Sequence, residues 1–124
     1  MSVFNLFKND PNFESFKAGT IIFQENKPGH IMYIIQEGKI DILLKDKLIE
    51  TVGENEPLGE MAMLEPGSLR GATAIANTDC KLVPIDQKRF TFLVQQNPFF
   101  SIEVMKVLAR RLKLMDQRID KDSN

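Results

Sequence analysis

The sequence is poor in the residues from which catalytic and metal centres are usually made. It has no tryptophan, one cysteine and one histidine in 124 residues. The lone thiol, Cys80, cannot close an intrachain disulfide, which excludes a disulfide-stapled scaffold and fits a reducing compartment. The lone histidine, His30, cannot assemble a zinc ligand set with a single cysteine. The formal net charge is −1, so no global field draws the chain to nucleic acid or to an anionic membrane. No apolar run approaches the roughly 20 residues that span a bilayer. The N-terminus lacks the basic-then-apolar order of a secretory signal. The expectation is a cytoplasmic chain without a catalytic constellation, a metal or a membrane anchor.

What is present is ordinary for a globular domain: 43% hydrophobic and 27% charged residues. That length can bury a core without staples, and no repeat, low-complexity tract or linker divides it. A single domain over 1–124 is expected. Val3, Phe4, Leu6 and Phe7 give residues 1–10 an apolar helical face, which Asp10-Pro11 ends. From 13 to 85 short apolar runs recur: Thr20-Ile21-Ile22-Phe23, Ile31-Met32-Tyr33-Ile34-Ile35, Ile40-Asp41-Ile42-Leu43-Leu44, Leu48-Ile49-Glu50-Thr51-Val52, Ala72-Thr73-Ala74-Ile75-Ala76 and Lys81-Leu82-Val83-Pro84-Ile85. Turn residues separate them, and Glu37-Gly38 is placed for a tight hairpin. Short strands at such spacing predict a mainly β sandwich or barrel.

The period then becomes helical. Asp86 is a good N-cap for 87–96, where Phe90, Leu93 and Val94 make an apolar stripe. Asn97-Pro98 interrupts, and a second helix is predicted from about 99 to 119, with a polar tail after it. Within it, Met105, Leu108, Leu112, Met115 and Ile119 have the 3-4 spacing of a two-stranded coiled coil, while Val104, Val107 and Leu114 are left to face the barrel. The same helix carries Lys106, Arg110, Arg111, Lys113 and Arg118, which read as a solvated face favoured near a helix C-terminus rather than a nucleic-acid surface.

The segment that carries chemistry is Pro57-Leu58-Gly59-Glu60-Met61-Ala62-Met63-Leu64, followed by Arg70-Gly71-Ala72-Thr73. A short helix inserted among strands presents unpaired N–H groups that attract an anion. Gly59 lets backbone approach a ligand, and Arg70 offers a charged fork that fits two phosphate oxygens. Glu60 suits an anionic ligand only if that ligand also brings a hydroxyl donor. A ribose phosphate supplies both.

This run resembles the phosphate-binding cassette of the cyclic-nucleotide-binding domain family, which includes bacterial catabolite activator proteins, kinase regulatory subunits and gated channels. The flanks agree along nearly the whole chain: Phe16-Lys17-Ala18-Gly19-Thr20-Ile21-Ile22-Phe23, Gly29-His30-Ile31-Met32-Tyr33-Ile34-Ile35, Glu37-Gly38-Lys39-Ile40, Thr78-Asp79-Cys80 and Leu108-Ala109-Arg110-Arg111-Leu112. The resemblance implies a jelly-roll barrel (a double-stranded β-helix) over about 13–85 with C-terminal helices over about 86–120. It implies cyclic AMP or cyclic GMP as ligand, with no other cofactor. The ligand-binding set it implies is Leu58, Gly59, Glu60, Met61, Ala62, Arg70, Gly71 and Ala72, with Arg111 and Met115 from the last helix. Glu60 would accept from the ribose 2′-hydroxyl and Arg70 would pair with the cyclic phosphate.

Two positions depart from family habit. Members selective for cyclic AMP often carry a hydroxyl where this chain has Gly71. Activator-like members read the purine amino group with a threonine where this chain has Met115, which packs on a base without a strong hydrogen bond. Activator-like members also append a DNA-reading helix-turn-helix, and with the sequence stopping at Asn124 no DNA-binding domain is expected. The resulting expectation is a stand-alone sensor that dimerises through the last helix and signals to a separate protein effector. Two alternatives stand beside it. One is a degenerate interaction module of the same fold, in which Arg70 and Glu60 pair with each other. The other is a cupin-type barrel enzyme, which one histidine does not support.

Overall fold

The computed structural model describes residues 3–123, with side chains described as far as Gln117. A 3-10 turn (Val3–Phe7) leads into eight strands: β1 (Glu14–Phe16), β2 (Ile21–Phe23), β3 (Met32–Glu37), β4 (Ile40–Leu44), β5 (Lys47–Val52), β6 (Pro57–Leu58), β7 (Thr73–Ala76) and β8 (Cys80–Ile85). A one-turn helix α1 (Met61–Leu64) stands between β6 and β7, and α2 (Gln87–Gln96) and α3 (Phe99–Ser123) follow. The strands form two four-stranded antiparallel sheets, ordered β1-β8-β3-β6 and β2-β7-β4-β5. They face each other as a jelly roll whose sheets do not close.

Burial follows from strand composition. In β3 and β8 the apolar residues are continuous because both faces are covered. Met32, Ile34, Val83 and Ile85 pack against the helices with Phe4, Phe7, Phe90, Phe100 and Val104. Ile35 and Leu82 face the other way, into a second core with Ile40, Ile42, Val52, Leu58 and Ala74 between the sheets. The strand β4 alternates instead, with Ile40 and Ile42 buried and Asp41 partly exposed.

The predicted Glu37-Gly38 hairpin is not formed. β3 pairs with β6 and β8, and β4 pairs with β5 and β7, so the chain crosses from one sheet to the other at this point. Gly38 has φ of +99°, and a Cβ there would stand 2.5 Å from the Asp79 carbonyl oxygen and 2.6 Å from the Cys80 Cβ. The glycine serves close packing of two crossings, not a two-residue turn. Two strands escaped the sequence reading, β1 and β6, because Glu14-Ser15-Phe16 and Pro57-Leu58 are too short to show a period. The lead-in helix is a 3-10 segment over Val3–Phe7 that does not continue through 8–10; residues 1 and 2 of the expected helix lie outside the described residues.

The helical half follows its local signals. The Asp86 carboxylate accepts from the Arg89 N–H at 2.8 Å and caps α2. Asn97 leaves helical geometry before Pro98, and α3 starts anew at Phe99 and runs past the expected end, to Ser123. Phe100 anchors the junction, with its ring 5.7 Å from Phe4, 6.1 Å from Phe7 and 5.7 Å from Phe90. Of the residues of the expected coiled-coil seam, Met105 is 50% and Leu112 46% exposed, and Leu108, Leu112 and Met115 border a cavity under the helix. Ile119 lies outside the described side chains. Val104 is fully buried, Val107 packs on the same core, and Leu114 is half-buried.

Candidate functional site

Three segments converge on one cavity of about 230 Å³: the turn from β6 into α1, the stretch before β7, and one face of α3. All ten sequence-predicted ligand residues line it: Leu58, Gly59, Glu60, Met61, Ala62, Arg70, Gly71, Ala72, Arg111 and Met115.

Gly59 makes the turn at φ +70°. A Cβ at this position would stand 2.4 Å from Arg70 Nη1 and 3.3 Å from the Ile31 carbonyl oxygen. Glycine is therefore required both for the left-handed backbone and for the approach of the arginine. The α1 start is less open than expected. The Ala62 and Met63 N–H groups turn back to the Gly59 and Glu60 carbonyl oxygens at 3.2 and 3.0 Å. Those two donors are satisfied within the turn and are not free for an anion.

Arg70 is set by a backbone lattice. Its N–H donates to Lys27 O and its carbonyl accepts from the Asn26 N–H, both at 2.8 Å, while the Gly29 N–H donates to Ser68 O at 3.0 Å. Its side chain then lies over the Phe23 ring, 4.2 Å from the centroid. Nη2 donates to Ile31 O at 2.7 Å and Nη1 to Gly59 O at 3.3 Å. Nε is buried without a partner. Burial pushes the guanidinium pKa down, against Tyr33 and Glu60, which favour the charge.

Glu60 is buried, and its side chain does not cap α1. Oε1 accepts from Arg111 Nη1 at 2.7 Å. Oε2 accepts no hydrogen bond among the described residues. The Arg70–Glu60 pair imagined for a degenerate domain is thus not formed: each group has another partner. Arg111 is 6% exposed and also donates through Nε to Glu50 Oε2 at 3.2 Å, while its Nη2 is buried without a partner. Arg110 reaches Glu50 Oε1 at 3.0 Å.

The rest of the wall is mostly apolar, with Phe23, Ile42, Leu69, Leu108 and Leu112, and its polar members are Glu65 and Ser68. Sequence reading did not assign these to the site. Leu108 and Leu112 share a helix face with Arg111 and Met115, a 3-4 relation that was spent on the coiled-coil seam. Phe23 and Ile42 carry no signal beyond strand alternation.

Outside the cavity, His30 is exposed and Cys80 is buried, its thiol pKa pushed up by burial and by Asp79. Among the described residues no group of three or more His, Cys, Asp or Glu is arranged to hold a metal ion, and no helix is long and apolar enough to cross a membrane. The cavity offers a charged fork, a carboxylate oxygen and an apolar wall. That combination suits a ligand with an anionic group, a hydroxyl and a flat apolar part.

Comparison with known proteins agrees. The family model of the cyclic nucleotide-binding domain matches residues 13–97. The cAMP-activated global transcriptional regulator CRP of Salmonella typhimurium is 29% identical over 90% of this chain, and the chain spans 60% of that protein. The CRP-like cAMP-activated global transcriptional regulator of Mycobacterium tuberculosis is 30% identical over 79% of this chain, which spans 46% of it. Among solved structures, cAMP-bound PfPKA-R superposes with a TM-score of 0.75 at 27% identity, covering 85% of this chain and 36% of that one. The Thermus thermophilus catabolite activator protein superposes with a TM-score of 0.76 at 25% identity, covering 90% of this chain and 54% of that one. The match spans both sheets and α2, and includes the glycine, carboxylate and arginine that border the cavity; this chain belongs to the cyclic nucleotide-binding domain family.

Proposed function

We propose that this domain binds cyclic AMP or cyclic GMP in the cavity beneath α3 and acts as a regulatory sensor rather than an enzyme. The observation that carries the reading is the convergence of Arg70 and Glu60 on one cavity, with Glu60 Oε2 accepting nothing among the described residues. In this reading the cyclic phosphate pairs with the Arg70 guanidinium, helped by the backbone of Gly71 and Ala72. The ribose 2′-hydroxyl donates to Glu60. The base lies against Leu108, Leu112 and Met115, none of which reads its edge by a strong hydrogen bond, so both purines are accommodated.

Output then belongs to α3. It contributes Arg111 and Met115 to the ligand and is broken from α2 at Asn97-Pro98. A ligand that touches α3 only in its closed position favours that position by its differential affinity. The exposed side of α3, with Ile102 and Met105, is proposed to pair with a second copy, and a separate protein is proposed to receive the signal. The curated relatives named above are transcriptional regulators, which favours regulation over catalysis.

Calorimetric titration with cyclic AMP, cyclic GMP and linear 5′-AMP tests the reading. Saturable heat with a cyclic nucleotide and weaker binding of the linear one supports it. Absence of heat with all three overturns it and leaves an interaction module of the same fold, whose mass in solution would not respond to nucleotide.

A further inference from the structure

We propose that Glu50 is a positioning residue for nucleotide recognition: it holds Arg111 on one side so that Glu60 keeps an oxygen open for the ligand hydroxyl. This rests on the reading of the cavity given above and extends it to a residue in β5 that does not border the cavity.

Glu50 stands directly opposite Ile42 in the β4–β5 ladder. Opposed residues share a face of the sheet, and Ile42 belongs to the core between the sheets. Strand alternation calls for an apolar side chain there, yet the position holds a carboxylate whose side chain is only 15% exposed. Its two oxygens are both engaged by α3, Oε1 with Arg110 Nη1 at 3.0 Å and Oε2 with Arg111 Nε at 3.2 Å. Glu50 and Glu60 thereby flank the buried guanidinium of Arg111, where an uncompensated charge is costly, while Arg110, 47% exposed, also reaches Glu56 at 3.7 Å.

The consequence lies in how Arg111 meets Glu60. A guanidinium and a carboxylate prefer the two-bond fork. Here only one bond forms, from Nη1 to Oε1 at 2.7 Å, and Nη2 is left buried without a partner. Glu50 holds Nε and so fixes the plane of the group short of the fork. Freed from Glu50, the guanidinium turns, Nη2 takes Glu60 Oε2, and the oxygen meant for the ligand hydroxyl is used up.

The test is titration of the full chain with cyclic AMP and 2′-deoxy cyclic AMP, for the wild type, Glu50→Gln and Glu50→Asp. The wild type is expected to favour the ribose ligand about ten- to hundredfold, the usual worth of a hydrogen bond to a charged group. Glu50→Gln is expected to erase most of that preference by weakening the ribose ligand alone, and Glu50→Asp to erase part of it. Both ligands draw on the same folded fraction, so any loss of folding divides out of the ratio. An undiminished ratio in Glu50→Gln, or equal losses for both ligands, overturns the role of Glu50 while leaving the pocket reading intact. A wild type that binds both ligands equally overturns it as well, because Glu60 then reads no hydroxyl. A wild type that binds neither removes the pocket reading itself.

Discussion

Gly29 and Arg70, forty-one positions apart, are packed so closely that a Cβ on the glycine would stand 2.3 Å from the arginine Nε and 2.5 Å from its Cζ. Gly29 is buried and its φ lies outside the left-handed region. Space, not backbone freedom, is therefore what makes this position glycine. Gly29→Ala is expected to move the Arg70 side chain off the Ile31 carbonyl oxygen while the backbone lattice between 26–29 and 68–70 stays in place. Overpacking of this kind costs about 1–3 kcal/mol. The expected outcome is a clear fall in nucleotide affinity by calorimetry with a smaller fall in the urea midpoint. Unchanged affinity would show that Arg70 does not need its present place to bind ligand.

Truncation of the same side chain is the sharper change. Arg70→Ala removes the only cation placed for the phosphate in the cassette segment and leaves the Ile31 and Gly59 carbonyl oxygens without their side-chain donor. The expected loss of cyclic-nucleotide binding is about 2–5 kcal/mol, the range for removing one member of a buried charge pair. Stability should fall by about 1–3 kcal/mol for the unsatisfied carbonyl groups. Titration and urea unfolding of the same variant separate the two effects.

The N-terminal segment makes stability depend on acid. Burial raises the Asp10 pKa, but the side-chain bond from Arg89, the Asn12 N–H at 2.8 Å and the Arg89 charge outweigh it, and the net shift is downward from 3.8. A group depressed on folding adds stability that is fully present above its unfolded value and is lost as the pH falls through the lower folded value. Asp10→Asn is expected to cost about 1.5–3 kcal/mol at neutral pH, the worth of a hydrogen bond between charged groups. It should also flatten the decline in stability below pH 3.8. Urea unfolding at intervals from neutral to acid pH measures both.

The exposed side of α3 gives a prediction about assembly. Ile102 is 42% and Met105 50% exposed, on a helix whose other face is buried in its own domain. If the proposed dimer forms through this face, Ile102→Glu with Met105→Glu should convert it to a monomer in light scattering. Surface positions such as these change stability by no more than about 0.5 kcal/mol, so the domain should remain folded. An unaltered mass would exclude this face from the interface.

Local features of the domain are legible in the chain as written, because they depend on neighbours a few residues apart. The apolar runs mark six strands, Asp86 caps α2, Asn97-Pro98 separates two helices, and the glycine, carboxylate and arginine of 59–70 mark the segment that lines the cavity. What only the tertiary structure decided is who meets whom. The chain crosses between sheets at Gly38 instead of turning back, since the pairing of β3 with β8 and of β4 with β7 is settled by two facing cores and not by the turn. Leu108 and Met115 border the cavity, because α3 lies against its own domain. Glu60 takes Arg111 across 51 positions and Glu50 takes it across 61, contacts that no local pattern encodes. Charged side chains of one type look alike along a sequence. Which carboxylate a buried guanidinium faces is determined by where the packed sheets and helix bring it.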